Sequence, residues 1–159
     1  GHGYAIHTCV LRPKSVGEVR LGEGRSLSID FNFLSDEADA RVLVEGVKLA
    51  RSILAQPEFD AIRGKEMLPG AQVQSDEQLL AHLRENAATV FHPVGTCKMG
   101  RADDTSAVTD SRLRVRGLAG LRVVDASIMP TITSGNTSAP TLMIATHGAQ
   151  MIREDRRRG

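Results

Sequence analysis

Tryptophan is missing from this 159-residue chain, and aromatic residues make up only 3% of it, one tyrosine and four phenylalanines. That scarcity argues against a platform on which nucleic-acid bases stack. Charge of one sign is also missing. Twenty Lys and Arg against nineteen Asp and Glu leave a formal net charge of +1, too little to attract nucleic acid or anionic lipid. Only two cysteines occur, Cys9 and Cys97, far apart and in no CxxC pair. They form neither a zinc motif nor a disulfide framework and suit a reducing, cytoplasmic setting. No apolar run reaches membrane-spanning length, and no signal peptide is visible. A GxGxxG loop is absent as well. What remains is ordinary for a globular chain: 41% hydrophobic and 25% charged residues.

The first third alternates like β-structure. Residues 4–11, "YAIHTCVL", are rich in strand formers, and 18–21 alternate after Gly17. In "SLSIDFNFL", 26–34, Leu27, Ile29, Phe31 and Phe33 fall on one face, the period of a half-buried strand. These three segments predict an antiparallel sheet with short connections. The period then becomes helical. "SDEADARVLVEGVKLARSILAQ" opens on a start signal, carries Leu43, Val47, Ala50 and Leu54 on one stripe, and stops before Pro57. "SDEQLLAHLRENAAT" is a second helix, with Ser75 and Gln78 as a capping box. Short strands are expected at 113–116 and 121–125 around the Gly117–Gly120 turn. A closing helix places Pro140 at its first position and aligns Leu142, Ala145, Ala149 and Ile152. The fold class predicted is α+β, a mostly antiparallel sheet with packed helices.

Three stretches invite chemistry. In "TVFHPVGTCKMG", His92 precedes Pro93, which restricts its backbone, and Gly95 permits close approach. An imidazole titrates near neutrality and, held rigidly, suits a general base, although a histidine packed under a turn fits the same pattern. In "TSGNTSAPT", Asn136 or Ser138 stands just before a helix start, where free N–H groups suit an anion or polar ring edge; simple helix capping is the alternative. In "RVVDAS", Asp125 ends a strand, either to meet a ribose or to form a turn. His7, His82 and His147 show no metal-ligand spacing, so no metal site is expected.

Taken in order, "LRPKSVGEVRL", "NFLSDEADARVLVEGVKLAR", "HPVGTCKMG" and "RLRVRGLAGLRVVDASIMPTITSGNTSAPTLMIA" resemble the C-terminal region of the glucose–methanol–choline (GMC) family of flavin oxidoreductases, with choline and alcohol dehydrogenases nearest in pattern. The resemblance implies two interleaved domains: residues 1–88 would belong to a substrate-binding domain, and 89–159 would carry the active-site loop and return into an FAD-binding domain. The N-terminal Rossmann portion would lie outside this sequence, so the chain reads as a piece of something larger. FAD is the implied cofactor and a small alcohol, choline-like or other, the implied substrate, oxidised to the aldehyde. His92 would take the hydroxyl proton as hydride leaves for flavin N5. Asn136 and Ser138 would be its catalytic neighbours. Asp125, Ala126, Asn136, Thr137, Ser138 and Thr141 would lie against the cofactor. Dehydrogenases of the family often read Gly-Asn-x-Asn-Ala-Pro where this chain has Ser138, and Glu and Asp where it has Thr146 and Gln150. Besides the enzyme, a non-catalytic fragment or accessory domain that cannot hold flavin alone fits the missing nucleotide loop. Its exposed apolar surface would favour oligomers. No nucleic-acid partner and no membrane span are expected.

Overall fold

The computed structural model describes residues 2–158. They form two compact units, one ending at Val90 and the other running on from Phe91. Among them are three α-helices and one two-stranded antiparallel sheet, an α+β arrangement with far less sheet than the alternation suggests.

In the first unit, β1 (Glu18–Leu21) pairs with β2 (Leu27–Asp30) in the register Glu18↔Asp30 to Leu21↔Leu27. Gly17 starts the hairpin because no side chain fits there: a Cβ would stand 2.1 Å from the Asp30 carbonyl oxygen. The strand expected over 26–34 ends early. Asn32 turns left-handed (φ 50) and its Nδ2 donates to the Val16 carbonyl at 3.0 Å. Leu27 and Ile29 share a face as the period requires, yet both are exposed among the described residues.

The strand expected at 4–11 does not form. A β-ladder needs a partner strand for its N–H and C=O groups, and among the described residues none pairs with this segment. It runs instead along α1 (Glu37–Leu54), where Thr8 approaches Gly46 and Tyr4 meets the Phe59 ring at 6.0 Å. Asp36 caps α1, its Oδ1 accepting from the Ala38 N–H at 2.8 Å, and Ala40 and Val44 turn inward. Asp39, one turn in, is buried. Its carboxylate accepts the Lys14 N–H at 3.0 Å, the Ser15 N–H at 2.7 Å and the Ser15 hydroxyl at 2.6 Å. These three bonds staple residues 14–15 to the helix. They hold the carboxyl below its ordinary value, although burial alone would raise it.

Helix α2 (Asp76–Asn86) carries the full capping box read from Ser75 and Gln78, and its Leu79 is wholly buried. It packs on α1, and Lys48 reaches Asp76 at 2.7 Å. Arg51 of α1 pins the intervening loop through Glu66 at 2.9 Å and the Gly70 carbonyl at 3.2 Å.

The second unit is mostly irregular until α3 (Ser138–Arg158). The strands expected at 113–116 and 121–125 reduce to isolated bridges, Thr109↔Val115 and Arg114↔Arg122, beside Met99↔Thr109. Left-handed backbone at Leu113 (φ 63), Gly117 (φ 78) and Gly120 (φ 75) keeps pairing from spreading. Helix α3 begins two residues before Pro140, which is therefore its third residue. That is still within the first turn, where no N–H is needed. The aligned stripe Leu142, Ala145, Ala149, Ile152 faces outward; the buried residues are Ile144 and Gly148. Gly148 decides this, since a Cβ there would lie 2.4 Å from Val124 Cγ1. The core is Leu113, Ile128, Met129 and Ile144, with Val94, Met99, Val124 and Met151 packed around it. Asp155 of α3 meets Arg122 and Arg112, the latter at 2.8 Å. The Arg122 hydrogen bond does most to hold the Asp155 carboxyl below its ordinary value.

Candidate functional site

His92 lies near the start of the second unit and is half-buried, between Phe91 (φ 63) and Pro93. Its ring makes no hydrogen bond among the described residues, which leaves both nitrogens for a ligand. Downstream the loop is tied down. Gly95 is left-handed (φ 94), the Cys97 N–H donates to the Ser127 carbonyl at 3.0 Å, and the Met99 N–H to the Ile128 carbonyl at 2.8 Å. Wholly buried Thr109 adds a hydroxyl bond to the Cys97 carbonyl at 3.2 Å.

The acceptor carbonyls belong to the turn Ala126–Ile128 that Asp125 caps. Asp125 Oδ1 accepts the Ser127 N–H at 2.8 Å and the Ser127 hydroxyl, so the turn-forming role expected of this residue is real. Ala126 packs against the core beneath.

The third segment opens α3. Thr137 and Thr141 are half-buried and bound to each other: the Thr137 carbonyl accepts the Thr141 N–H at 3.0 Å and the Thr141 hydroxyl at 2.6 Å. The Thr141 hydroxyl proton is thereby committed inside the helix, so Thr141 is not a free donor for a ligand. Asn136 and Ser138 are exposed, and neither side chain has a hydrogen-bond partner among the described residues. Ser138 and Ala139 open a 21-residue helix at its positive end, in the first turn, where N–H groups have no intrahelical acceptor.

Three segments thus meet on one core. Val94 and Met99 come from the His92 loop, Ala126, Ile128 and Met129 from the turn, and Ile144 and Met151 from α3. No hydrogen bond joins His92 to Asn136 or Ser138. Chemically the arrangement offers one proton acceptor on a restrained loop and a cluster of neutral donors at a helix start. Such donors fit the carbonyl-bearing edge of a polar ring. Among the described residues no group of His, Cys, Asp and Glu could hold a metal. Both cysteines are free, and no helix is long and apolar enough to cross a membrane.

Two supporting residues escaped the sequence. Asp39 looks like any acid in a helix's first turn. Arg116, one of three arginines in "RLRVR", donates to the carbonyls of Gly100 and Asp104, each at 2.7 Å, and to that of Arg101, closing the turn after Met99. Neither position has a periodic or motif signal; the contacts depend on where distant backbone carbonyls and amides arrive.

Comparisons with known proteins find relatives over nearly the whole of this chain. A family model described as GMC oxidoreductase matches residues 13–145. The chain is 44% identical over 155 residues to an alcohol dehydrogenase (acceptor) of Pseudomonas putida, covering 96% of this chain and 28% of that protein. It is 48% identical over 155 residues to an oxygen-dependent choline dehydrogenase of Pseudomonas fluorescens, covering 96% of this chain and 27% of the relative. Among solved structures, pyridoxine 4-oxidase from Mesorbium loti superposes with a TM-score of 0.82 at 35% identity, over 91% of this chain and 28% of its own. The chain spans just over a quarter of the length of these relatives.

Proposed function

The chain belongs to the GMC oxidoreductase family, and from that premise we propose that it supplies the active-site loop of an FAD-dependent enzyme that oxidises a primary alcohol to an aldehyde. The observation that carries the reading is His92 on a loop clamped to the same core that Ile144 and Met151 of α3 enter. The relatives named above are, by name, enzymes of alcohols or of alcohol-bearing molecules, which supports an alcohol substrate.

In this reading residues 1–88 contribute to a substrate-binding domain and 89–159 return to the flavin domain. The remaining length of the family's proteins would hold the dinucleotide. FAD, the cofactor of the family's flavoproteins, would supply the hydride acceptor. His92 takes the proton from the substrate hydroxyl, which lowers the cost of alkoxide character at the oxygen by about 10²–10⁴ in rate. Asn136 or Ser138 donates to that same oxygen and orients it. The first-turn N–H groups of Ser138 and Ala139, with the helix dipole behind them, favour negative charge at the ring edge they face. Asp125 and Ala126 line the neighbouring stretch through backbone shape, since the Asp125 carboxylate already caps its own turn. Free Cys9 and Cys97 suit a cytoplasmic setting.

The test is His92→Ala in the full-length protein, assayed with choline and short primary alcohols and an artificial electron acceptor. The reading expects kcat to fall by about 10²–10⁴ while FAD absorbance is retained; an unchanged rate would sink it. The alternative, an accessory segment without catalysis, draws on the exposed Leu121, Leu142 and Met143. Incubating the 159-residue chain with FAD and desalting separates the division of labour: no retained flavin bands are expected. A stoichiometric flavin would place the whole site within these residues.

A further inference from the structure

We infer that Asp125 is a positioning residue for His92 and acts through its carboxylate, an inference that rests on His92 being the proton acceptor. The link is a short relay of hydrogen bonds, all within the unit that begins at Phe91. Asp125 Oδ1 accepts the Ser127 N–H at 2.8 Å and the Ser127 hydroxyl, which closes the turn Ala126–Ile128. That turn aims two carbonyls at the His92 loop. The Ser127 carbonyl accepts the Cys97 N–H at 3.0 Å, and the Ile128 carbonyl accepts the Met99 N–H at 2.8 Å. The residue that the carboxylate holds is therefore the residue that holds Cys97.

Both sides of the relay are anchored. Upstream of Asp125, the Val123 N–H donates to the Leu113 carbonyl at 3.1 Å, and Val124 packs on the core. Downstream, Ile128 and Met129 are buried. The carboxylate governs the stretch between these anchors, where Ser127 sits. In the partner loop, Val94 packs on the same core and the Lys98 N–H returns to the Gly95 carbonyl at 3.1 Å, so 94–99 is one tight turn. His92 enters that turn through Pro93, which restricts its backbone. A rotation of the Ser127 carbonyl pulls on Cys97, and the pull reaches the imidazole through a segment with few soft dihedrals. Displacement of a reacting group by about 1 Å costs on the order of a hundredfold in rate.

Asp125 also stands in the stretch read as lining the cofactor, so aiming of His92 has to be separated from flavin binding. In the full-length, flavin-loaded enzyme, Asp125→Ala is expected to lose about ten- to a hundredfold in kcat, with KM within about threefold and FAD absorbance per protein retained. Asp125→Asn keeps an acceptor at Oδ1 and is expected to regain at least about fivefold of that loss. A double-mutant cycle with His92→Ala decides the route. In the His92→Ala background, Asp125→Ala is expected to change the residual kcat by less than about threefold, because the group it aims is gone. An equal loss in both backgrounds overturns the inference and assigns the carboxylate to the flavin or the fold. Parental kcat in Asp125→Ala overturns it as well. Should Asp125→Ala not fold or not keep its flavin, Ser127→Ala, which removes only the hydroxyl bond, goes through the same cycle. There a loss of about three- to tenfold that vanishes beside His92→Ala supports the inference, and no loss or an equal loss overturns it. His92→Ala by itself isolates the premise: an unchanged rate removes the role of His92, whereas a large loss there with an additive Asp125→Ala removes only the role of Asp125.

Discussion

The two units divide regular structure and core unevenly. Residues 2–90 hold the hairpin and two well-capped helices, yet bury few apolar side chains: Ala40, Val44 and Leu79. Residues 91–158 hold one helix and a series of turns, yet bury Ala107, Leu113, Ile128, Met129 and Ile144. Local hydrogen bonding and burial are thus separable sources of order. The first unit leans on caps and on the Asp39 staple, the second on side chains brought together from distant positions. Its candidate site uses the second kind, because a general base needs a fixed place more than it needs a regular backbone.

Substitutions can break this contrast. Ile128→Ala empties the centre of the second unit and should cost about 2–5 kcal/mol in urea unfolding, with amide exchange rising across 94–151; a loss below about 1 kcal/mol would mean the core is not where that unit's stability lies. Gly148→Ala improves helix propensity by up to about 1 kcal/mol but drives a methyl into Val124. Overpacking should prevail, a net loss of roughly 1–3 kcal/mol, and a stabilised variant would show that α3 can slide.

In the first unit Asp39→Asn removes a charge-assisted set of hydrogen bonds at a buried site and should cost about 1.5–3 kcal/mol near neutral pH. Its pH dependence has a definite sign. The folded carboxyl titrates below the ordinary value of 3.8, so its contribution is complete above that value and disappears as pH falls through the lower, folded one. The deficit of Asp39→Asn relative to the parent should therefore shrink below about pH 4; a deficit constant down to pH 2 would contradict the staple. Ser75→Ala should cost about 0.5–2 kcal/mol through the lost capping box. Leu142→Ala, on the outward face of α3, should stay within about 0.5 kcal/mol by the same melts.

How much could be read beforehand follows the same division. The bounds of α1, the start of α2 with its Ser75–Gln78 box and the 18–21 strand were legible because their signals are local: a cap, a proline, a period; α2 ends at Asn86, three residues before the end the period suggests. His92, Asn136 and Ser138 were legible as candidates because proline, glycine and small polar residues punctuate loops. The inward face of α3 was not. Leu142, Ala145, Ala149 and Ile152 make the more apolar stripe, but Ile144 and Gly148 are buried, because only glycine at 148 lets Val124 approach. Asp39 and Arg116 could not be distinguished from other charged residues, since their backbone partners lie 24 and 25 residues away for Asp39 and 12 to 16 for Arg116.

Sequence alone therefore settled where helices start and stop, which residues have restricted backbones, and which family pattern the motifs follow. Those features depend on neighbours within a few positions, where propensity and steric limits act. Tertiary structure settled which strands pair, which helix face is buried, and which loops share a core with His92. Those outcomes depend on groups far apart in the chain competing for the same partners, and no local pattern records who wins.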